Sequence, residues 1–395
     1  VAKKIKEVTE ETEVSKSSEN PSKKGLIAKF MTAMGKKQGF EIFSESKLTI
    51  ISEYISTGSY SLNGLVSGSY FKGIPHGRIT GLAGKKGVGK SFICANCMRE
   101  AQKQNYMVFV FDSESSLDRD FLTRLGVNVD EVTFKSINTV NDFKTQVVNT
   151  LTEMHKIDPD QKLFIVVDSL GNLSTEKEMA DAIEGKTAQD MGLRAKQLKA
   201  ASRVLTNCVA YNNAAMLITN HTYDQPGANP NCPPVEVFSG GEGFNYCCST
   251  IINLKKFMRR EEIKQASGET EKIPTHFIIK ATTTKNRIVP EGTCREILVH
   301  FKFGLHKWYG LLDDALNFGF FEKSSRGMIV KHLNKNFFEK QIYLAANEEI
   351  WAPIINEMDE KAKNKYAFSN VLDIDEAIAS LSDTEETNDS AESDK

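Results

Sequence analysis

Eight consecutive residues, Gly84-Lys85-Lys86-Gly87-Val88-Gly89-Lys90-Ser91, carry the clearest chemistry in the chain. They satisfy the spacing GxxxxGK[ST] directly after a run that reads as a strand and directly before one that reads as a helix, the context a phosphate-binding loop requires. Glycines let the backbone curl until its N–H groups and the helix N-terminus face a β-phosphate. Lys90 can then reach β/γ oxygens, and Ser91 can ligate Mg²⁺. The loop predicts ATP and Mg²⁺ as cofactors.

Such a loop needs a carboxylate at a neighbouring strand end to hold the metal through water, and Leu163-Phe164-Ile165-Val166-Val167-Asp168-Ser169 offers Asp168. An apolar strand ending in Asp is common by itself; beside the loop, Asp168 joins Ser91 as a metal residue. Hydrolysis also needs a group that orients water. In Phe111-Asp112-Ser113-Glu114, Glu114 stands just past a buried strand, where α/β sheets bind ligands, and a solvated loop carboxylate is the competing reading.

The elements that must position these groups alternate short apolar runs with helical segments from about residue 47 to residue 303, the pattern of an α/β fold with a central, mostly parallel twisted sheet. Candidate strands cover residues 78–82, 107–111, 163–167, 216–219 and 250–254. Residues 275–282 and 296–303, around Pro290 and Gly292, read as an antiparallel hairpin added to one edge. Residues 311–368, rich in Phe and containing Trp351, read as a mainly helical smaller unit.

Outside these, residues 1–23 hold almost no large apolar groups and are expected to be disordered. In residues 25–37, Leu26, Ile27, Phe30, Met31 and Met34 recur at helical spacing among lysines, a short basic amphipathic helix that would be marginal without a docking partner. From Asp373 onward nine acidic residues face only Lys395, a flexible acidic tail that reads either as a solubility tail or as a competitor of anionic ligands for basic surface. The domain expectation is therefore 1–46, 47–308, 309–372 and 373–395.

Composition narrows the partners. With 50 Lys+Arg against 52 Asp+Glu and a net charge of −2, no global positive field announces nucleic acid, so any such contact must rest on local patches. Seven cysteines without a spacing ladder suit buried thiols in a reducing compartment, and Cys94 and Cys97 read as small hydrophobes. No apolar run approaches a membrane span, and the N-terminus is charged from Lys3. The expectation is a soluble, cytoplasmic protein with no membrane partner.

The motifs fall in a telling order: Ile55-Ser56-Thr57-Gly58-Ser59-Tyr60-Ser61-Leu62, Gly77-Arg78-Ile79-Thr80, the phosphate loop, Phe111-Asp112-Ser113-Glu114 with Leu117-Asp118, Val166-Val167-Asp168-Ser169, Met191-Gly192-Leu193, Asn220-His221 and Gly240-Gly241. From about Lys47 to Trp308 this order resembles the RecA family, and Asp168-Ser169-Leu170-Gly171-Asn172-Leu173 with Asn220-His221-Thr222-Tyr223 looks more like the UvsX branch of tailed phages. The resemblance implies a RecA-like P-loop ATPase core with a small helical C-terminal unit. It puts Glu114 at the water-activating position and Asp118 and Phe121 near the adenine. His221 stands where bacterial RecA has a γ-phosphate-sensing Gln; imidazole can still donate to phosphate, but it ordinarily titrates near neutrality. Lys285 and Arg287 match paired cations that such filaments insert onto the neighbour's ATP, acting as arginine fingers do.

Two segments read as DNA loops. One, residues 174–190, leads into a helix on which Lys196, Lys199 and Arg203 share a face, with Arg194 on the other side. The second, residues 223–238, is rich in Pro, Gly and Asn, too irregular for an element, and is closed by Gly240 and Gly241. The implied function is an ATP-dependent recombinase, a DNA-dependent ATPase that polymerises as a homo-oligomeric helical filament on single-stranded DNA and exchanges strands with homologous double-stranded DNA. A single-strand-binding protein and a recombination mediator are the suggested partners. Rivals are a hexameric RecA-fold helicase, which shares the phosphate residues but closes into rings, and a filament that merely covers single strands.

Overall fold

The computed structural model describes residues 23–35, 38–46, 48–186, 192–225, 235–264, 270–302, 304–344 and 348–366. Residues 1–50 and 51–395 form two compact units. In the first, a helix spans Lys23–Phe30 and passes into a π-helical turn, Met31–Gly35. The helix is thus shorter than its apolar spacing predicts. Phe40 folds back edge-on to Phe30, centroids 5.1 Å apart, while Leu26, Ile27, Phe30 and Met34 stay exposed.

The second unit opens with a two-stranded ribbon, β1 (Tyr54–Ile55) and β2 (Ile74–Pro75). The large sheet is built from β3 (Ile79–Gly84), β4 (Met107–Asp112), β5 (Val132–Ser136), β6 (Leu163–Asp168), β7 (Ala214–Gln225), β8 (Val235–Phe238), β9 (Thr250–Lys264), β10 (Thr270–Asn286), β11 (Cys294–His300) and β12 (Gly304–Leu305). Its order is β12-β11-β10-β9-β3-β7-β6-β4-β5, with β8 paired to the far end of β7. The strands from β9 through β5 run parallel; β10, β11 and β12 continue antiparallel beyond β9, the edge hairpin expected from the sequence.

Parallel strands covered on both faces read as continuous apolar runs, and β6, Leu-Phe-Ile-Val-Val-Asp, is buried at every position. Alternation then sorts the side chains into two cores. Leu82, Val108, Val110, Phe164 and Val166 pack on one face with Ile93, Cys94 and Cys97 of the helix Lys90–Lys103. Ile79, Phe109, Phe111, Ile165 and Val167 pack on the other, with Phe143 and Val147 of the helix Val140–Ile157 and Leu198 and Leu205 of the helix Leu193–Tyr211. Cys94 and Cys97 are fully buried and burial pushes their thiols up, as small hydrophobes would behave. Cys294 departs from the expectation of buried thiols: it is exposed at the start of β11.

A third core gathers Trp308, Leu311, Ile342, Ile350, Trp351 and Met358 around Tyr70. The segment expected to be mainly helical also holds a three-stranded antiparallel sheet, β13 (Phe321–Ser324), β14 (Gly327–Val330) and β15 (Lys335–Phe337). Its strands are too short to show a period of two in the sequence. The buried pair Arg295–Asp314 joins this core to the large sheet: Asp314 also accepts from Tyr70 at 2.7 Å and Tyr366 at 3.0 Å.

Both expected DNA loops contain regular structure. Residues 174–190 include a helix, Glu176–Ile183, started by a capping box between Thr175 and Glu178, a T-x-x-E signal the loop reading passed over. In the second segment, β7 runs on to Gln225 and β8 pairs back on it, Thr222 opposite Phe238 and Asp224 opposite Glu236. Residues 187–191 and 226–234, the expected disorder of 1–22 and the acidic tail from 373 lie outside the described residues.

Candidate active site

The phosphate loop leaves β3 at its C-terminal end, where β7 and β6 end beside it, and open α/β sheets bind ligands at such ends. Gly87 and Gly89 have φ of +74° and +108°, which a side chain would strain, and a Cβ on Gly89 would meet Ile279 Cδ1 at 2.9 Å. Lys90, 6% exposed, donates from Nζ to the carbonyl oxygens of Gly84 at 2.9 Å and Lys85 at 3.3 Å. Burial holds its pKa below the usual lysine value, opposed by the charges of Glu114 and Asp168.

Asp168 collects hydroxyls. Its Oδ2 accepts from Ser116 at 2.7 Å and Ser91 at 3.3 Å, and its Oδ1 from Thr219. Glu114 is set by Asp112, whose Oδ1 accepts the N–H groups of Glu114 at 2.7 Å and Ser115 at 2.8 Å, a tight turn at the end of β4. Burial pushes the Asp112 carboxyl up. The Glu114 carboxylate meets the Nε2 of His221 and the hydroxyl of Ser169 at 3.0 Å; the histidine contact, ahead of the Lys90 charge, holds its pKa below the usual carboxylate range.

On its other side His221 turns Nδ1 to Lys90 Nζ at 3.3 Å. Lysine ammonium has donors only, so Nδ1 is the accepting nitrogen and Nε2 carries the proton toward Glu114. The register explains the meeting: Gly84 and His221 are paired across β3 and β7.

Lys86, Gly87, Gly89, Lys90, Ser91, Glu114, Phe121, Asp168 and His221 line one cleft of about 290 Å³. Of its far wall only Phe121 was foreseen. Phe121 lies edge-on to Phe92 at 5.0 Å, Phe92 to Phe277 at 6.0 Å, and Phe277 leans on Phe301 at 5.6 Å. Lys256 Nζ sits 4.1 Å over the Phe277 ring and donates to Gly87 O at 3.1 Å. Asp112, Ser116, Ser169 and Thr219 were likewise missed as site residues; single hydroxyls, and a carboxylate that holds its own turn, carry no spacing signal. Of the expected nucleotide residues, Val88 is buried in the core, Lys85 turns to Asp224, and Asp118 caps the helix Arg119–Arg124 by accepting from Phe121 N at 3.1 Å.

Lys285 and Arg287 stand elsewhere. β10 runs antiparallel to β9, so Lys285 pairs with Ile251 and Asn286 with Thr250, which pairs in turn with Thr80 at the start of β3. Gly84 is four residues further along β3, about 13 Å at ~3.3 Å per residue, and the cleft opens beyond it. Lys285 donates to Asn245 O, while Arg287 is exposed. Neither reaches the cleft of its own chain.

On the helix Leu193–Tyr211, Lys196, Lys199 and Arg203 are exposed opposite buried Leu198, Ala201 and Leu205, and Lys199 Nζ lies 4.5 Å over the Tyr246 ring. Arg194 instead donates inward, to Leu170 O at 3.1 Å and Gly171 O. Gly240 and Gly241, φ +78° and +70°, turn the chain so closely against this helix that a Cβ on Gly240 would lie 2.5 Å from Leu198 Cδ1.

Backbone and ammonium donors at one strand end, faced by carboxylates from two neighbouring strands, define the class of P-loop ATPases. Comparison with known proteins narrows it: the model of the RecA N-terminal domain matches residues 25–305, and the chain belongs to that family. It is similar to Protein RecA of Anaplasma marginale (strain Florida), 28% identical over 78% of this chain and 79% of the relative. Protein RecA of Phytoplasma mali (strain AT) is 26% identical over 84% of this chain and 91% of its own length. The recombination and repair protein of Enterobacteria phage T4 is 29% identical over 55% of this chain and 51% of its own. The protein is an ATP-dependent DNA recombinase, an ATPase that works with DNA, and proteins of this family bind DNA and form filaments. Among the described residues no helix is long and apolar enough to cross a membrane.

Proposed function

We propose that this recombinase polymerises on single-stranded DNA with ATP at the junction of two protomers, and that Glu114 orients the attacking water. The observation carrying this reading is the chain Lys90–His221–Glu114, which ties the phosphate-binding ammonium to the water-orienting carboxylate through one imidazole. A γ-phosphate arriving at Lys90 draws the ammonium from Gly84 O and His221 Nδ1. The histidine is then free to turn and Glu114 to take a water in place of the Nε2–H. Since His221 lies on β7, whose end carries β8, the same movement reaches the ribbon expected to meet DNA.

Mg²⁺ fits the donor set. Ser91 hydroxyl and Asp168 carboxylate are hard oxygen ligands 3.3 Å apart at the loop. Held by Ser91 and Asp168, the ion would neutralise negative charge developing on the phosphates.

Lys285 and Arg287, about a sheet's length from their own cleft, are read as cations for the neighbour's ATP, and burial with the charge of Arg287 lowers the Lys285 pKa. Lys196, Lys199 and Arg203 supply a phosphate track, with sequence left to base pairing. A single-strand-binding protein and a mediator are proposed as partners from the phage-type motifs, and the free thiols support a reducing cytoplasm. DNA-stimulated ATPase measured beside D-loop formation tests the whole: a protein that hydrolyses ATP on single strands yet forms no D-loops would be a cover or motor instead.

A further inference from the structure

Lys85, the second residue of the phosphate loop, does not point at the nucleotide cleft. Its Nζ lies 2.6 Å from Asp224 Oδ2 near the tip of the described part of β7, with both side chains about half exposed or more. Asp224 is itself in an unfavourable place. It stands directly opposite Glu236 across the β7–β8 ribbon, and directly opposed like charges destabilise an antiparallel pair. Both carboxylates face a cavity of about 450 Å³ that they share with Lys85, Lys86, Lys255 and Lys256. Glu236 is held from the sheet, by Thr222 Oγ1 at 2.6 Å, Asn253 Nδ2 at 3.1 Å and Lys255 Nζ at 3.6 Å. Among the described residues, Asp224 takes its ion pair from the phosphate loop.

We propose that Lys85 is a positioning residue that couples nucleotide to the ribbon: without nucleotide it neutralises Asp224 opposite Glu236, and on ATP binding it turns to the phosphates and leaves Asp224 facing Glu236 without its ion pair. The geometry supports the exchange at both ends. Lys85 is next to Gly84 and its carbonyl already accepts from Lys90, so a triphosphate in the loop brings several negative charges within a side chain's length of its ammonium. An exposed ion pair in high dielectric is weak, and a weak contact is one that phosphates can outcompete. The ribbon is then loosened when ATP is bound, and its order follows the nucleotide by a route separate from His221. The inference rests on the ATP site and needs no assumption about DNA.

Hydrogen exchange of the DNA-free protein, read at the amides of residues 222–225 and 235–238 with and without a saturating non-hydrolysable ATP analogue, tests it, saturation being checked for each variant by titration. In the wild type the analogue should speed exchange roughly threefold to tenfold. Lys85→Ala should exchange fast without nucleotide and gain no further speed with it, Lys85→Arg should behave as wild type, and Asp224→Asn should lose the nucleotide-driven acceleration. Salt added without nucleotide should speed the wild-type ribbon and leave Asp224→Asn unchanged. A wild-type nucleotide response retained in Asp224→Asn overturns the proposal, as does protection of the wild-type ribbon by the analogue. DNA binding is absent from every arm, so a failed D-loop assay would strike the functional reading and not this one.

Discussion

Asp112 Oδ1 accepts the backbone N–H of Glu114 at 2.7 Å, so the residue that ends β4 fixes where the proposed water-orienting carboxylate starts. A buried N–H left without its acceptor costs about 1–3 kcal/mol. Asp112→Ala should therefore lower kcat for ATP at least tenfold with nucleotide Kd within about threefold of wild type, and Asp112→Asn, which keeps one acceptor oxygen, should recover part of the rate. Equal losses in kcat and nucleotide affinity would mean the site has collapsed rather than shifted.

Lys90 and Glu114 should separate binding from hydrolysis. Lys90→Ala removes the ammonium that faces the phosphates and should abolish ATP binding in a fluorescence titration. Glu114→Gln should bind ATP, stall hydrolysis by at least about a hundredfold and trap filaments on DNA, since general-base groups supply factors of about 10²–10⁴. A Gln variant that turns over at the wild-type rate removes Glu114 from the reaction.

For Lys285 and Arg287 the deciding measurement is a mixture. Either Ala variant should lose DNA-stimulated ATPase while free protomers keep nucleotide affinity. Mixed with Lys90→Ala protein, each should regain part of the rate in joint filaments, because an intact cleft then meets an intact cation pair. Rates that ignore the mixing ratio would place these cations in cis.

The depressed Glu114 pKa sets a pH dependence. A carboxylate whose folded pKa lies below its unfolded value contributes stability above the ordinary glutamate value of about 4.3, and loses it as pH falls through the lower, folded one. The difference in Tm between wild type and Glu114→Gln should accordingly be full at neutral pH and decline only below about pH 4. His221→Ala, which removes the largest cause of the shift, should move that decline upward in pH. An unmoved decline would show that His221 does not hold the carboxylate.

Arg295 is 8% exposed and Asp314 1%, with Tyr70 and Tyr366 completing the cluster beneath the third core. Breaking a buried pair by removing one member costs about 3–5 kcal/mol, so Arg295→Ala should lower the urea midpoint markedly. The double change Arg295→Met with Asp314→Leu should recover much of it, because no uncompensated buried charge remains. Additive losses in the double variant would contradict this account.

Chemistry written in consecutive residues was legible in the sequence. The phosphate loop, Asp168 at the end of β6 and Glu114 past β4 each depend on local spacing: glycines at fixed offsets, or a carboxylate closing a buried apolar run, and local geometry is what a linear pattern encodes. The parallel strands were legible for the same reason, although their ends ran longer, since β7 and β9 extend beyond the core where polar residues replace apolar ones.

Tertiary structure alone decided what meets what. His221 touches both Lys90 and Glu114 because β3 and β7 are neighbours in register, although β4, β5 and β6 intervene in sequence. The aromatic wall reaches the cleft because β10 and β11 fold back beyond β9, and Lys285 is kept from its own cleft because β10 runs the opposite way. Strand order and direction are set by packing of whole faces over long sequence separations, and no window along the chain contains them.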